Sequence, residues 1–301
     1  MKSLLFRIAG LALAALSGPA FAALNVFATV PEWGALAREL GGDKVNVYVA
    51  TSALQDPHHV EAKPSLIARA RNADLVVATG AELEIGWVPL VLQQAGNPKI
   101  QPGQPGYFEA APNVPMLEKP ARLDRAEGDV HPLGNPHIQT DPRNIARVAT
   151  ALTARLAQVD PANAAYYRER GKDFSTRWSA AIVRWEREAA PLRGASVIVH
   201  HKDFTYLFNW LGIREVATLE PKPGIEPTTS HLADVLATLE RTPAKMVIRA
   251  AYQSDRASQW IAERAKLKAV VLPFTVGGDD AAKDLFGFFD DTVQRLLEGA
   301  Q

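Results

Sequence analysis

The chain contains no cysteine among its 301 residues. Without thiols there is neither a disulfide framework nor a thiolate metal site, so any metal centre must be built from histidine and carboxylates. No charge of one sign dominates: Lys+Arg and Asp+Glu each number 33. Taking Lys2 and Arg7 from the 33 basic residues leaves 31 against 33 acidic ones, a net −2. That argues against a nucleic-acid partner, which wants a basic face. No second apolar run long enough to span a bilayer follows the N-terminus. Catalytic signatures are missing as well. There is no Gly-x-Gly-x-x-Gly, no Gly-x-x-x-x-Gly-Lys, no Gly-x-Ser-x-Gly and no His-Glu-x-x-His.

What is present begins with an export signal. Lys2 and Arg7 precede an apolar stretch from Ile8 to Leu16, and Ala20-Phe21-Ala22 has the small-x-small form of a cleavage site. Residues 1–22 are therefore read as a cleaved signal peptide and the periplasm as the destination. The roughly 280 residues that remain exceed what one core usually organises, so two lobes are expected. Strand-like apolar runs occur at Leu24–Val30, Val45–Ala50, Asp74–Thr79 and Val114–Leu117, and again at Ala195–His200, Glu215–Leu219, Met246–Ile248 and Ala269–Leu272. Helical spacing fills the intervals, for example Glu32–Leu40, Pro64–Asn72, His231–Arg241 and Ser254–Ala265. Alternating strands and helices predict an α/β chain of two lobes, each a parallel sheet flanked by helices. Asn97–Pro120, rich in Pro and Gly, reads as a surface crossover loop.

Between the halves, Pro161–Ala190 lacks internal proline and contains one glycine, Gly171. Phe174, Trp178 and Trp185 recur at spacings of four and seven, on one helical face. A helix of about 30 residues would be roughly 45 Å long, a rigid strut between lobes. The expected organisation is a first lobe at 23–160, a connecting helix at 161–191 and a second lobe at 192–301.

Of the 7 histidines, 5 lie in three distant segments: Asp56-Pro57-His58-His59, Asn135-Pro136-His137 and His200-His201. Imidazole is the commonest nitrogen ligand for zinc, and three imidazoles with a carboxylate complete a tetrahedral shell. A lone histidine in such a loop is ordinarily just a loop residue. Two loops of the same design and a third histidine at a strand end point instead to a shared metal site assembled from distant parts of the chain. Adjacent residues on a strand face opposite ways, so at most one of each pair is expected to reach it. His131 reads as a surface-loop or supporting residue. Gly277-Gly278-Asp279-Asp280 is a turn after the last strand that brings two carboxylates to the ligand edge of the sheet.

These features together resemble the solute-binding proteins of zinc and manganese ABC transporters, the cluster A-I or zinc-uptake type. The resemblance rests on the exported N-terminus, Asp-Pro-His-x-x-Glu at Asp56–Glu61, Pro136-His137, the long central helix and His-x-x-Phe-x-Tyr at His201–Tyr206. It implies two α/β lobes joined by a rigid helix, one divalent ion in the cleft (Zn2+, with Mn2+ possible), a membrane permease as partner and a monomer. It implies His58, His137 and His201 as ligands. His201 fits rather than His200 because it lies three before Phe204 and five before Tyr206. The family's fourth ligand is usually an acidic residue after the last strand. Here that position falls to Asp280, with Asp279 as the alternate, although Phe274-Thr275-Val276-Gly277 departs from the usual pattern; water or Glu226 is the competing fourth donor. A zinc-dependent hydrolase with Glu61 or an Asp as base, and an interaction protein indifferent to metal, are the competing functional readings.

Overall fold

Short β-branched strands assemble into two sheets of identical plan in the computed structural model, which describes residues 23–120, 128 and 130–301. The signal peptide read at 1–22 lies outside these residues. The first sheet has the order β2-β1-β3-β4, with β1 at Leu24–Ala28, β2 at Val45–Val49, β3 at Leu75–Ala78 and β4 at Tyr107–Glu109. The second repeats it as β6-β5-β7-β8, with β5 at Ser196–Val199, β6 at Arg214–Thr218, β7 at Met246–Ala250 and β8 at Lys268–Leu272. Every pairing is parallel. Strands β3 and β5 are buried at each position, as a parallel sheet covered by helices on both faces requires.

Two expectations need correction. The fourth strand of the first lobe is Tyr107–Glu109, inside the tract read as loop, and Val114–Leu117 joins no sheet. Pro115 has no N–H to give a ladder. The Leu117 N–H is taken instead by the Tyr206 hydroxyl, 3.1 Å away. The connecting helix runs over Ala164–Glu188, 25 residues, with 3-10 turns at Pro161–Asn163 and Ala190–Leu192 in place of its outer turns. Beside it lies an 18-residue helix, Pro142–Val159, opened by Pro142 and capped by Asp141, whose carboxylate accepts from the Arg143 N–H. Among the described residues no helix is long and apolar enough to cross a membrane.

The aromatic face of the long helix is the seam of the molecule. Phe174, Trp178 and Trp185 are fully buried. Trp178 stacks on Phe174 and meets Trp185 edge-on, each at 5.1 Å between centroids. Phe289, from the last helix at Leu285–Ala300, closes on both tryptophans. One continuous apolar cluster runs from Val26 and Trp33 of the first lobe through this face to Ile248 and Leu296 of the second. Polar bridges join it: the Thr275 hydroxyl donates to Glu32 at 2.6 Å, and the Tyr206 hydroxyl to the Asn135 carbonyl at 2.7 Å. The loops at the carboxyl ends of the two sets of strands are thereby held facing each other, the edge where α/β sheets collect ligands.

Candidate metal centre

Two loops of the first lobe are built alike. In Asp56-Pro57-His58 the aspartate carboxylate accepts the His58 N–H at 2.9 Å; in Asn135-Pro136-His137 the asparagine carbonyl oxygen accepts the His137 N–H at 2.9 Å. These are Asx turns, in which a short side chain replaces a backbone acceptor and the intervening proline fixes φ. Trp87 pins the first loop by donating to the Pro57 carbonyl. The Asn135 amide ties the second to the other lobe through the Lys202 carbonyl. His201 comes from the opposite side, directly after β5, with an extended backbone.

The outcome is convergence. One donor atom from each of His58, His137 and His201 lies within 4.8 Å of the other two. The Nε2 atoms of His137 and His201 are 3.4 Å apart. Two nitrogens held about 2.0–2.1 Å from one tetrahedral zinc are about 3.3–3.4 Å apart, so this spacing is that of two ligands on a single ion. His58 Nδ1 is occupied by Asp56 at 2.9 Å and His201 Nδ1 by Glu220 at 2.7 Å. Each carboxylate accepts the Nδ1–H of its ring, so that the neutral form of that ring would present its lone pair on Nε2. His58 Nε2 is buried without a hydrogen-bond partner, a costly state for a polar atom unless a cation is its intended contact.

The electrostatics separate the three rings. Burial, reinforced by the neighbouring imidazoles, holds His137 well below the usual histidine value, so it is neutral. Burial alone would lower His201 too, but Asp203 and then Glu220 outweigh it and lift that ring to about 9. Burial also pushes the Asp56 carboxyl upward, yet the hydrogen bonds from His58 and His59 outweigh it and keep Asp56 below the ordinary carboxylate range. The pocket thus attracts one positive charge, a proton or a metal ion.

Other predicted residues lie elsewhere. His59 is exposed beside Asp56, and His200 is turned aside with its Nε2 3.9 Å from Glu220. His131 lies over the site, its ring centroid 5.4 Å from that of His58. Glu61 and Glu226 are exposed and outside the group. The expected fourth donors lie outside the converging group as well. Asp280 is exposed, and Asp279 pairs with Arg295 at 2.6 Å while accepting the Ala281 N–H. Gly277 takes the left-handed φ of +84° that this turn requires. Two carboxylates were missed by sequence reasoning. Glu220 follows β6, and Asp203, two residues after His201, is fully buried with Oδ1 3.9 Å from His137 Nε2. An acid that close to a candidate ligand was the available signal. A cavity of about 530 Å³ beside His200, Arg256 and Trp260 holds no such convergence among the described residues; a smaller cleft of about 290 Å³ is lined by His58, His201, His59 and Glu220.

Residues 26–299 match the sequence model of the family described as zinc-uptake complex component A, periplasmic. The chain belongs to this family. A high-affinity zinc uptake system protein, ZnuA, of Bacillus subtilis is 22% identical over 91% of this chain and 85% of its own length. A manganese ABC transporter substrate-binding lipoprotein, PsaA, of Streptococcus anginosus is 20% identical over 92% and 89%. The crystal structure of a ZnuA superposes with a TM-score of 0.77 at 22% identity, covering 93% of this chain and all of that one. A Mn-bound periplasmic metal-binding protein from Candidatus Liberibacter asiaticus gives 0.76 at 15% identity, over 92% of this chain. At such identities the structural matches speak for the fold: two parallel sheets flanked by helices, with a long helix between the lobes.

Proposed function

We propose that this chain is the periplasmic substrate-binding component of a metal ABC transporter. It captures one divalent cation, zinc in preference to manganese, and passes it to the membrane permease. The observation that carries the reading is the approach of three imidazoles, from three distant segments and both lobes, to within 4.8 Å. Three nitrogen donors suit zinc, whereas manganese favours oxygen-rich shells. The family membership and the zinc- and manganese-handling relatives support the same class. In this reading residues 1–22 are the export signal, 23–160 and 192–301 are the lobes, 161–191 connects them, and the protein acts as a monomer. A hydrolytic role would need a base beside the ion, and Glu61 is exposed and outside the group.

The test is metal analysis of the protein purified from the periplasm, followed by competition of zinc against manganese. One zinc per chain is expected, with zinc preferred. His58→Ala, His137→Ala and His201→Ala should each weaken zinc binding at least about tenfold, about 1.4 kcal/mol. His59→Ala and His200→Ala should have smaller effects. Undiminished affinity in the three ligand variants would refute the site.

A further inference from the structure

Asp279 and Asp280 lie outside the group of converging donors, and a tetrahedral ion held by three histidines has a fourth position that a protein donor or water fills. Three carboxylates stand around the triad. Asp56 is engaged by the rings of His58 and His59, and Glu220 by His201 and the Gly224 N–H. Asp203 differs. It is fully buried, its Oδ1 accepts from the Tyr252 hydroxyl at 2.9 Å, and its Oδ2 accepts from the Gln253 amide at 2.6 Å. Both partners are neutral, and a carboxylate has about four acceptor positions, so lone pairs remain. The nearest nitrogen of the triad, His137 Nε2, is 3.9 Å from Oδ1. Imidazole nitrogen and carboxylate oxygen on one tetrahedral zinc are about 3.3–3.5 Å apart. Asp203 Oδ1 is therefore about half an ångström beyond that spacing from His137 Nε2, and it lies outside the group of donors that meet within 4.8 Å, so a side-chain rotation must carry it in.

We propose that Asp203 is the fourth protein ligand of the metal. It replaces the acid that would otherwise follow the last strand. Its position follows from topology. Asp203 lies beyond the carboxyl end of β5, and Tyr252 and Gln253 follow β7, its hydrogen-bonded neighbour in the sheet. The strand pair fixes the carboxylate from behind. Each lobe then contributes two donors, His58 and His137 from the first and His201 and Asp203 from the second.

This inference rests on the metal-binding reading, and the test separates the two. The chain has no cysteine, so Asp203→Cys would introduce its single thiol. Loaded with Co2+, that variant should show a near-ultraviolet thiolate-to-cobalt charge-transfer band, and Asp280→Cys should not. Asp203→Asn should bind zinc at least about tenfold more weakly, about 1.4 kcal/mol, with Asp279→Asn and Asp280→Asn close to wild type. If His201→Ala loses zinc while Asp203→Asn keeps wild-type affinity and Asp203→Cys shows no band, the fourth-ligand assignment falls alone. If none of these substitutions affects zinc, the metal reading falls with it. Should a variant fail to fold, the zinc-loaded wild type decides. An Asp203 oxygen about 2.0–2.2 Å from the ion is expected, and one beyond about 3 Å overturns the assignment.

Discussion

In the proposed site, His201 holds the proton that an entering metal would displace. Its ring sits between Asp203 and Glu220 and titrates near 9, whereas burial keeps His137 neutral. Only the neutral imidazole binds metal, so one proton leaves the site whenever zinc enters below that value. The sign follows directly. Zinc affinity should rise about tenfold per pH unit from about 7 toward 9, then level off. Competition titrations at pH 7, 8 and 9 would check this, and a flat profile would contradict it. The same shift acts on folding. The raised ring stabilises the metal-free protein fully below the ordinary value of 6.5, and that contribution is lost as pH rises through about 9. At this scale much of the site was legible, since Asx-Pro-His is both a sequence pattern and an Asx turn. Asp203 was not, because what distinguishes it is the pair of donors supplied by Tyr252 and Gln253, about fifty residues along the chain.

The two long helices at the molecule's centre cross where Gly171 meets Thr153. A Cβ at Gly171 would stand 2.6 Å from Thr153 Oγ1 and 2.8 Å from its Cγ2. That hydroxyl is already committed to the Ala149 carbonyl at 2.7 Å, so it has little freedom to yield. In an unpacked helix, Gly→Ala would stabilise by about 1 kcal/mol. Here overpacking, about 1–3 kcal/mol, should outweigh it. Gly171→Ala is expected to lower the melting temperature, and a rise would show that the helices separate easily. The sequence marked Gly171 as the one break in a helical run but could not reveal its neighbour, because the crossing depends on the Pro142–Val159 helix. Strands β3 and β5 were readable for a different reason: buried at each position, they are near-continuous apolar runs. Strand β4 escaped because its three residues carry too little pattern within a Pro/Gly tract.

Across the whole molecule, capture is a contact between lobes. His58 and His137 descend from one sheet and His201 from the other, while a single apolar core and the strut at Ala164–Glu188 limit how far the lobes can part. An ion that binds only the assembled site stabilises the fold by mass action, about 2.7 kcal/mol at a free concentration 100 times its Kd. For a chain of this size that corresponds to a rise of several degrees in melting temperature. The most direct test of an ion shared by both lobes is the melting temperature with and without saturating zinc, measured on the wild type, His137→Ala and His201→Ala. The wild type should gain several degrees, and either variant should lose most of that gain, whichever lobe is altered. No shift in the wild type, or a full shift in the variant lacking His201, would contradict it.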